Sequence, residues 1–212
     1  MQWVWYIAAG VSTTLQYALL SMVGSTIIGL IIAGMRMSSI RPVKRCAAFY
    51  VSFFRGTPSL LHLSMVFYAA PGLLGIHMGP MVAGVLAFSL HSGAYTGEIL
   101  RSGIRAVEPG QLEMCQTLGI PAGWAFIDIV LPQAIRHAFP ALTGEAINVL
   151  KDTALISVIG ETDIMRRSNL VAAQQYSYFG PLVVAAICYY ALALLLQAVA
   201  HYVERRIDYH RN

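Results

Sequence analysis

Charge is what this sequence has least of. Only 11% of its 212 residues are Asp, Glu, Lys or Arg, and none of these falls between Met1 and Met35 or between Gly56 and Gly97. With 57% hydrophobic residues and a mean hydropathy of +0.63, the chain lies outside ordinary soluble domains, in which about a quarter of residues are charged. It reads as an integral membrane protein. Cysteine is scarce too: Cys46, Cys115 and Cys188 are odd in number and far apart, which argues against a disulfide framework or metal cluster and leaves them as packing residues. Lysine occurs only as Lys44 and Lys151, and neither follows a glycine, so no Gly-x-x-x-x-Gly-Lys-Ser/Thr loop is present to cradle nucleotide phosphates. His62, His77, His137, His201 and His210 lack metal-ligand spacing. The N-terminus has no basic n-region, so the first apolar segment is expected to be retained rather than cleaved as a signal peptide. The net charge of +4 comes from basic residues beside apolar runs, a pattern that points to a membrane surface and lipid rather than to nucleic acid.

What is abundant is apolar sequence in long stretches. A helix needs about 20 apolar residues to cross the hydrocarbon, and such segments are predicted at 10–35, 47–70, 80–100, 138–160 and 180–203. The predicted fold is therefore all-α: a polytopic membrane protein with five transmembrane helices, one domain over residues 1–212. Arg36, Arg41, Lys44 and Arg45, with Pro42 among them, read as a short loop after the first span. In the second span Arg55-Gly56-Thr57-Pro58 interrupts the run, with Thr57 predicted to cap and Pro58 to open a fresh helix. Pro71-Gly72, Gly75 and Gly79-Pro80 separate the second span from the third. The fourth is the least apolar, because Glu145, Lys151 and Asp152 would each cost about 2.5–3.5 kcal/mol at mid-membrane. Residues 161–175 read as a loop with a short surface helix. Five crossings put the ends on opposite sides. Arg36, Arg41, Lys44, Arg45, Arg101, Arg105, Arg136, Arg205, Arg206 and Arg211 gather on one side against Arg166 and Arg167 on the other. The first side is expected to be cytoplasmic, with the N-terminus outside and the C-terminus inside.

Gly110 to Pro132, on the predicted cytoplasmic side, is the one long polar and amphipathic stretch. Glu113 and Gln116 fall on a short helix that Gly119 can terminate, and Trp124 to Val130 forms a second amphipathic piece that Pro132 is expected to stop. A helix-turn-helix wedge of this kind suits the docking of a soluble partner. Glu113, followed by Gly119 and then by Ile129, Leu131 and Pro132, resembles the EAA loop of the membrane subunits of bacterial ABC importers. Phe54-Arg55-Gly56-Thr57-Pro58, Gly93-Ala94-Tyr95 with Glu98 and Arg101, Leu131-Pro132-Gln133-Ala134, and Leu150-Lys151-Asp152-Thr153-Ala154-Leu155 are similar to signatures of the polar amino-acid permeases of the histidine, glutamine and arginine type. Met114-Cys115 stands where that group has an Ala-Ala pair, Gly144 where asparagine is common, and Ala154 where a serine is usual.

The resemblance implies a permease subunit of an ATP-driven importer in the bacterial inner membrane, moving a polar amino acid or analogue by alternating access. It implies a cytoplasmic ABC ATPase homodimer that binds ATP and Mg²⁺, a second permease subunit, identical or a sibling chain, and a periplasmic solute-binding protein. The chain itself would hold no cofactor and no catalytic site. Glu113, Gly119, Leu131 and Pro132 would form the contact that couples it to the ATPase.

The candidate solute contacts come from spacing. Glu145, Asn148 and Asp152, at i, i+3 and i+7, share one helical face, a carboxylate-lined stripe suited to the ammonium or guanidinium group of an amino acid. Lys151 is turned about 100° away and is expected to act as a structural or gating partner of Asp152. His91, Tyr95 and Glu98 share another face and are further candidates. A subunit contact would account equally for His91 and Tyr95, and Glu98 can pair with Arg101 at i+3. Arg55 and Thr57 are expected to be gating or structural, Arg55 by snorkelling or by tying carbonyls at the cytoplasmic rim. A solute carboxylate can be met by Lys151 or Arg55. His91 and Ser92 are neighbours on a helix and point about 100° apart, so they do not form a protease dyad. Two other readings use the same residues: a proton-coupled secondary transporter with Glu145 and Asp152 as proton carriers, for which the inverted repeat is missing, and a non-transporting adaptor that only recruits a protein to Gly110–Pro132.

Overall fold

The computed structural model describes residues 2–209, which leaves His210 and Arg211 outside. Every regular element in it is a helix. α1 (Gln2–Ala8) and α2 (Val11–Met37) are separated only at Ala9-Gly10. The break coincides with a close approach: a Cβ on Gly10 would stand 2.5 Å from the Ile164 nitrogen. α3 (Arg41–Gly56) begins inside the basic segment that the sequence presents as a loop. Pro42 is tolerated in its first turn because the N–H it lacks has no intrahelical partner there, so only Ser38 to Ile40 connect α2 to α3.

After Thr57-Pro58 the chain resumes as α4 (Ser59–Ser64), passes through a π turn at Met65–Ala69, and ends in α5 (Ala70–Leu74). Pro58 itself stays extended, and α4 has no side-chain cap. Instead of capping α4, the Thr57 hydroxyl turns back to the Phe53 carbonyl, 2.7 Å away, at the end of α3. α6 (Pro80–Arg105) follows, then α7 (Pro109–Thr117), α8 (Ala122–Ala125), a π turn at Phe126–Val130 and α9 (Leu131–Asp152). Pro132 does not stop the helix. The Leu131 N–H bonds to the Phe126 carbonyl five residues back, and this wider turn carries the helix past the missing proline donor. α9 runs into a 3₁₀ segment, Thr153–Ile159, closed by Gly160 at φ 92°.

α10 (Ile164–Gln175) is a packed element rather than a surface helix. Its N-cap Asp163 is fully buried. Asp163 accepts from the Met165 and Arg166 N–H groups at 3.1 and 2.8 Å and from the Tyr189 hydroxyl of α11 (Phe179–Tyr209) at 2.9 Å. Ile164 and Val171 join Ile7 and Ala185 in one apolar cluster, so α10 ties α1 to α11.

α6 is the centre of the bundle, with α2 along one side, α9 along the other, and α3 and α4 across it. Its buried positions are mostly small, among them Ala83, Gly84, Ala87, Ser92, Gly93, Ala94 and Gly97. Close backbone approach of this kind replaces the hydrophobic drive that helices lack in lipid. At Gly103 a Cβ would lie 2.5 Å from the Ala134 carbonyl oxygen and 2.9 Å from the Ala138 Cβ, so Gly103→Val must push α6 from α9. Overpacking of this kind costs about 1–3 kcal/mol or more; a lowered melting temperature in detergent, with Gly34→Ala unchanged because its Cβ position meets nothing within 4 Å, is the expected result.

Two helical stretches have the length and composition to cross a bilayer, Gln2–Met37 at mean hydropathy 2.1 and Phe179–Arg206 at 2.3. α11 presents its apolar side outward, with Ile187 and Leu195 about 60% exposed, as a lipid or subunit contact requires.

Candidate functional site

The site is built where α3 breaks. Thr57-Pro58 ends α3 and turns the chain so that α4 packs on α6. In the angle between this turn, the middle of α6 and the end of α9 lies a cavity of about 380 Å³. Thr57 and Ser59 line it from the turn, His91 and Tyr95 from α6, and Glu145, Asn148, Lys151 and Asp152 from α9. The α9 stripe and the upper part of the α6 stripe, two faces inferred separately from spacing, thus meet at one cavity. Glu145 is held by the Ser92 hydroxyl, which donates to its Oε1 at 2.7 Å. Lys151 also faces this cavity, and among the described residues it forms no salt bridge with Asp152. The two heads thus share the cavity without direct contact, as neighbours on a helix diverge.

A polar chain secures the turn to α6. Thr57 Oγ1 lies 2.7 Å from His62 Nε2, and His62 Nδ1 lies 3.1 Å from His91 Nδ1. His62 is 3% exposed, and its ring also packs against Phe54 at 4.7 Å between centroids, tilted by 51°. No sequence signal marks His62, whose partner is 29 residues away. Ser59 and Ser92 are equally silent in sequence, being common small residues until tertiary packing sets them at the carboxylates.

Glu98 stands apart from this group. Its Oε1 accepts from Arg36 Nε of α2 at 2.8 Å, and its Oε2 accepts from Arg101 Nε at 3.0 Å and from a second Arg101 nitrogen. The i+3 pairing with Arg101 was expected; Arg36, 62 positions away, was not. Glu98 lines a second cavity of about 380 Å³, one step toward the α6 C-terminus, together with Arg55, Tyr95 and His137. Arg55 is an exposed residue at the end of α3. Its guanidinium sits over the Tyr95 ring, 5.1 Å from the centroid, a cation–π contact.

The amphipathic stretch forms a separate surface. Gly119, at φ 73°, ends α7, with its N–H bonded to the Gln116 carbonyl at 3.1 Å and the Ile120 N–H to the Cys115 carbonyl at 2.9 Å. These two bonds are the paired closure of a Schellman motif. Around it Met114, Leu118, Trp124 and Ile127 are 55–72% exposed, an apolar patch of the kind that marks a protein contact. Glu113 is exposed on α7, while Leu131 and Pro132 begin α9. Gln111 and Gln133 exchange side-chain amide hydrogen bonds at 3.2 and 2.6 Å, clasping α7 to the foot of α9.

Comparison with known proteins agrees over most of the chain. Residues 25–209 match the family described as binding-protein-dependent transport system inner membrane component. The chain is 42% identical to a putative glutamine transport system permease protein of Rickettsia bellii, over 95% of this chain and 93% of that one. It is 39% identical to the arginine transport system permease protein ArtQ of Bacillus subtilis, over 95% and 92%. The fold superposes on an amino acid ABC transporter solved with histidines at a TM-score of 0.88, with 36% identity and coverage of 95% and 94%. It also superposes on the inward-facing MetNI methionine ABC transporter at 0.81 with 17% identity, covering 96% of each chain, a likeness of fold alone. A cavity rimmed by carboxylates inside a helical bundle, joined to an exposed wedge and matched over this length, has one explanation: the chain belongs to the family of inner membrane components of binding-protein-dependent transport systems and is a permease subunit of an ABC importer.

Proposed function

We propose that the chain carries a polar amino acid through a cavity in which Glu145, Asn148 and Asp152 meet the ammonium or other cationic end of the solute, with His91 and Tyr95 as the opposite wall. The observation that carries this reading is the convergence of all five on one cavity. The names of the relatives, glutamine and arginine permeases, support the solute class. In this reading Thr57 and Lys151 shape the mouth of the cavity. Arg55, over Tyr95, gates its cytoplasmic side. Glu98, held by two arginines, braces α6 against α2 and is a solute contact only at its rim.

Coupling follows from α9. This single helix of 22 residues spans about 33 Å at 1.5 Å per residue, with Leu131, Pro132 and the Gln111–Gln133 clasp at one end and Asp152 at the other. A push on Glu113 and Gly119 at the wedge is thereby delivered as a displacement of the carboxylates. The full arrangement is five crossings with 1–212 as one domain, N-terminus periplasmic, and Gly110–Pro132 and the C-terminus cytoplasmic. Two permease subunits would enclose the path and rest on an ATPase homodimer that binds ATP and Mg²⁺ and performs the hydrolysis. A periplasmic binding protein would deliver the solute. Gentle detergent purification of the tagged chain from its native membrane, followed by mass spectrometry, tests this: a phosphate-loop ATPase is expected to stay bound. A chain that comes out alone and reconstitutes proton-driven uptake would overturn the reading.

A further inference from the structure

The two cavities are stacked along the same pair of helices. On α6 the lining passes from His91 to Tyr95 in the first cavity and from Tyr95 to Gly103 in the second; on α9 it passes from Asp152 back to Glu145, then from Ala141 to His137. Tyr95 is common to both. Their charged groups differ. The first holds Glu145 and Asp152 with Lys151, whereas in the second the carboxylate of Glu98 is already occupied on both oxygens by Arg36 and Arg101, which leaves Arg55 as its available charge. Arg55 is thus left without a salt bridge among the described residues, its planar fork of donors resting on the Tyr95 ring. A guanidinium so placed is matched to a carboxylate, which it binds with two parallel hydrogen bonds.

We propose that the second cavity is a cytoplasm-side station for the solute, in which Arg55 takes the carboxylate of the amino acid and Tyr95 is the partition between the two stations. The proposal rests on the reading that the first cavity holds the cationic end of a polar amino acid. In the first station the ammonium is anchored by Glu145 and Asp152. As the path opens inward, the carboxylate draws the Arg55 guanidinium from the Tyr95 face, the ring is released to turn, and the solute passes down. Each cavity, at about 380 Å³, falls within the range of small-ligand pockets.

The test is equilibrium binding to the intact, nucleotide-free permease–ATPase complex in detergent, with L-glutamine and L-arginine each compared with its decarboxylated amine, 4-aminobutanamide and agmatine. Arg55→Gln is expected to weaken the amino acids about tenfold, the loss of a charge-assisted bidentate contact, and to leave the amines unchanged. Arg55→Lys, which keeps the charge without the fork, should recover part of the loss. A fall in acid and amine together would assign Arg55 to packing on Tyr95, and an unchanged acid affinity would show no contact; either overturns the proposal, as does failure of wild-type complex to prefer acid over amine. Glu145→Gln separates the two readings. It should weaken acids and amines alike, and if it affects neither while Arg55→Gln remains selective for the acid, the first station is wrong and the second stands.

Discussion

Gly119→Trp is expected to abolish ATP-dependent uptake while the chain still inserts and folds. The residue sits at φ 73°, where L side chains are strained, and a Cβ there meets nothing within 4 Å. Within this chain every non-glycine residue therefore carries a similar cost, about 1–2 kcal/mol for the left-handed conformation, whatever its size. Gly119→Ala and Gly119→Trp should melt alike. They should differ in transport, because only the indole reaches into the space that a docked ATPase would occupy beside Met114, Leu118 and Trp124. The expected result is substantial uptake for the alanine variant. For the tryptophan variant it is either a complex that does not assemble or one that hydrolyses ATP without moving solute. Equal uptake by the two variants would mean that nothing docks at this turn.

Glu145→Ala is expected to weaken solute binding about 10- to 100-fold, the loss of a hydrogen bond to a charged group worth about 1.5–3 kcal/mol. Ser92 donates to Oε1 at 2.7 Å, a contact that fixes the carboxylate to the scaffold. Ser92→Ala removes the scaffold contact alone and should cost less in solute affinity than Glu145→Ala. Glu145→Gln keeps the shape and the Ser92 bond and removes the negative charge. If the role is electrostatic, Gln should behave nearly as Ala does; if it is structural, Gln should behave as wild type. Measured on the complex, the readout is the solute dissociation constant alongside uptake at saturating ATP. Uptake that is lost with a protonophore in wild type, but has become insensitive to the pH gradient in both variants, would instead make Glu145 a proton carrier.

Spacing revealed the α9 stripe because helical periodicity is local: Glu145, Asn148 and Asp152 must share a face once the segment is helical, and no tertiary information is needed. The same holds for the closure at Gly119, since a glycine after an amphipathic turn is selected by backbone sterics within a few residues. Pro132 shows the limit of local rules. Its missing N–H predicts a stop, yet the π turn before it, closed by the Leu131 N–H on the Phe126 carbonyl, carries the chain straight into α9. The basic segment after α2 failed similarly, because Arg41, Lys44 and Arg45 look like loop residues until one side of α3 is seen to bury Ala47 and Val51 against Ile32.

Composition, apolar run length and the order of short motifs were enough for the class of protein, the all-helical fold, the wedge and the identity of the cavity residues on α6 and α9, since each depends on neighbours within a turn or two. The pairing of distant residues was not accessible in this way. That His62 meets His91, that Arg36 and Arg101 together occupy Glu98, that Gln111 clasps Gln133, and that Arg55 is consequently left over Tyr95 all depend on which helix faces which. Those contacts are set by small residues at helix crossings such as Gly103 on Ala134 and Ala138, where separations of a few tenths of an ångström decide which side chains come within reach.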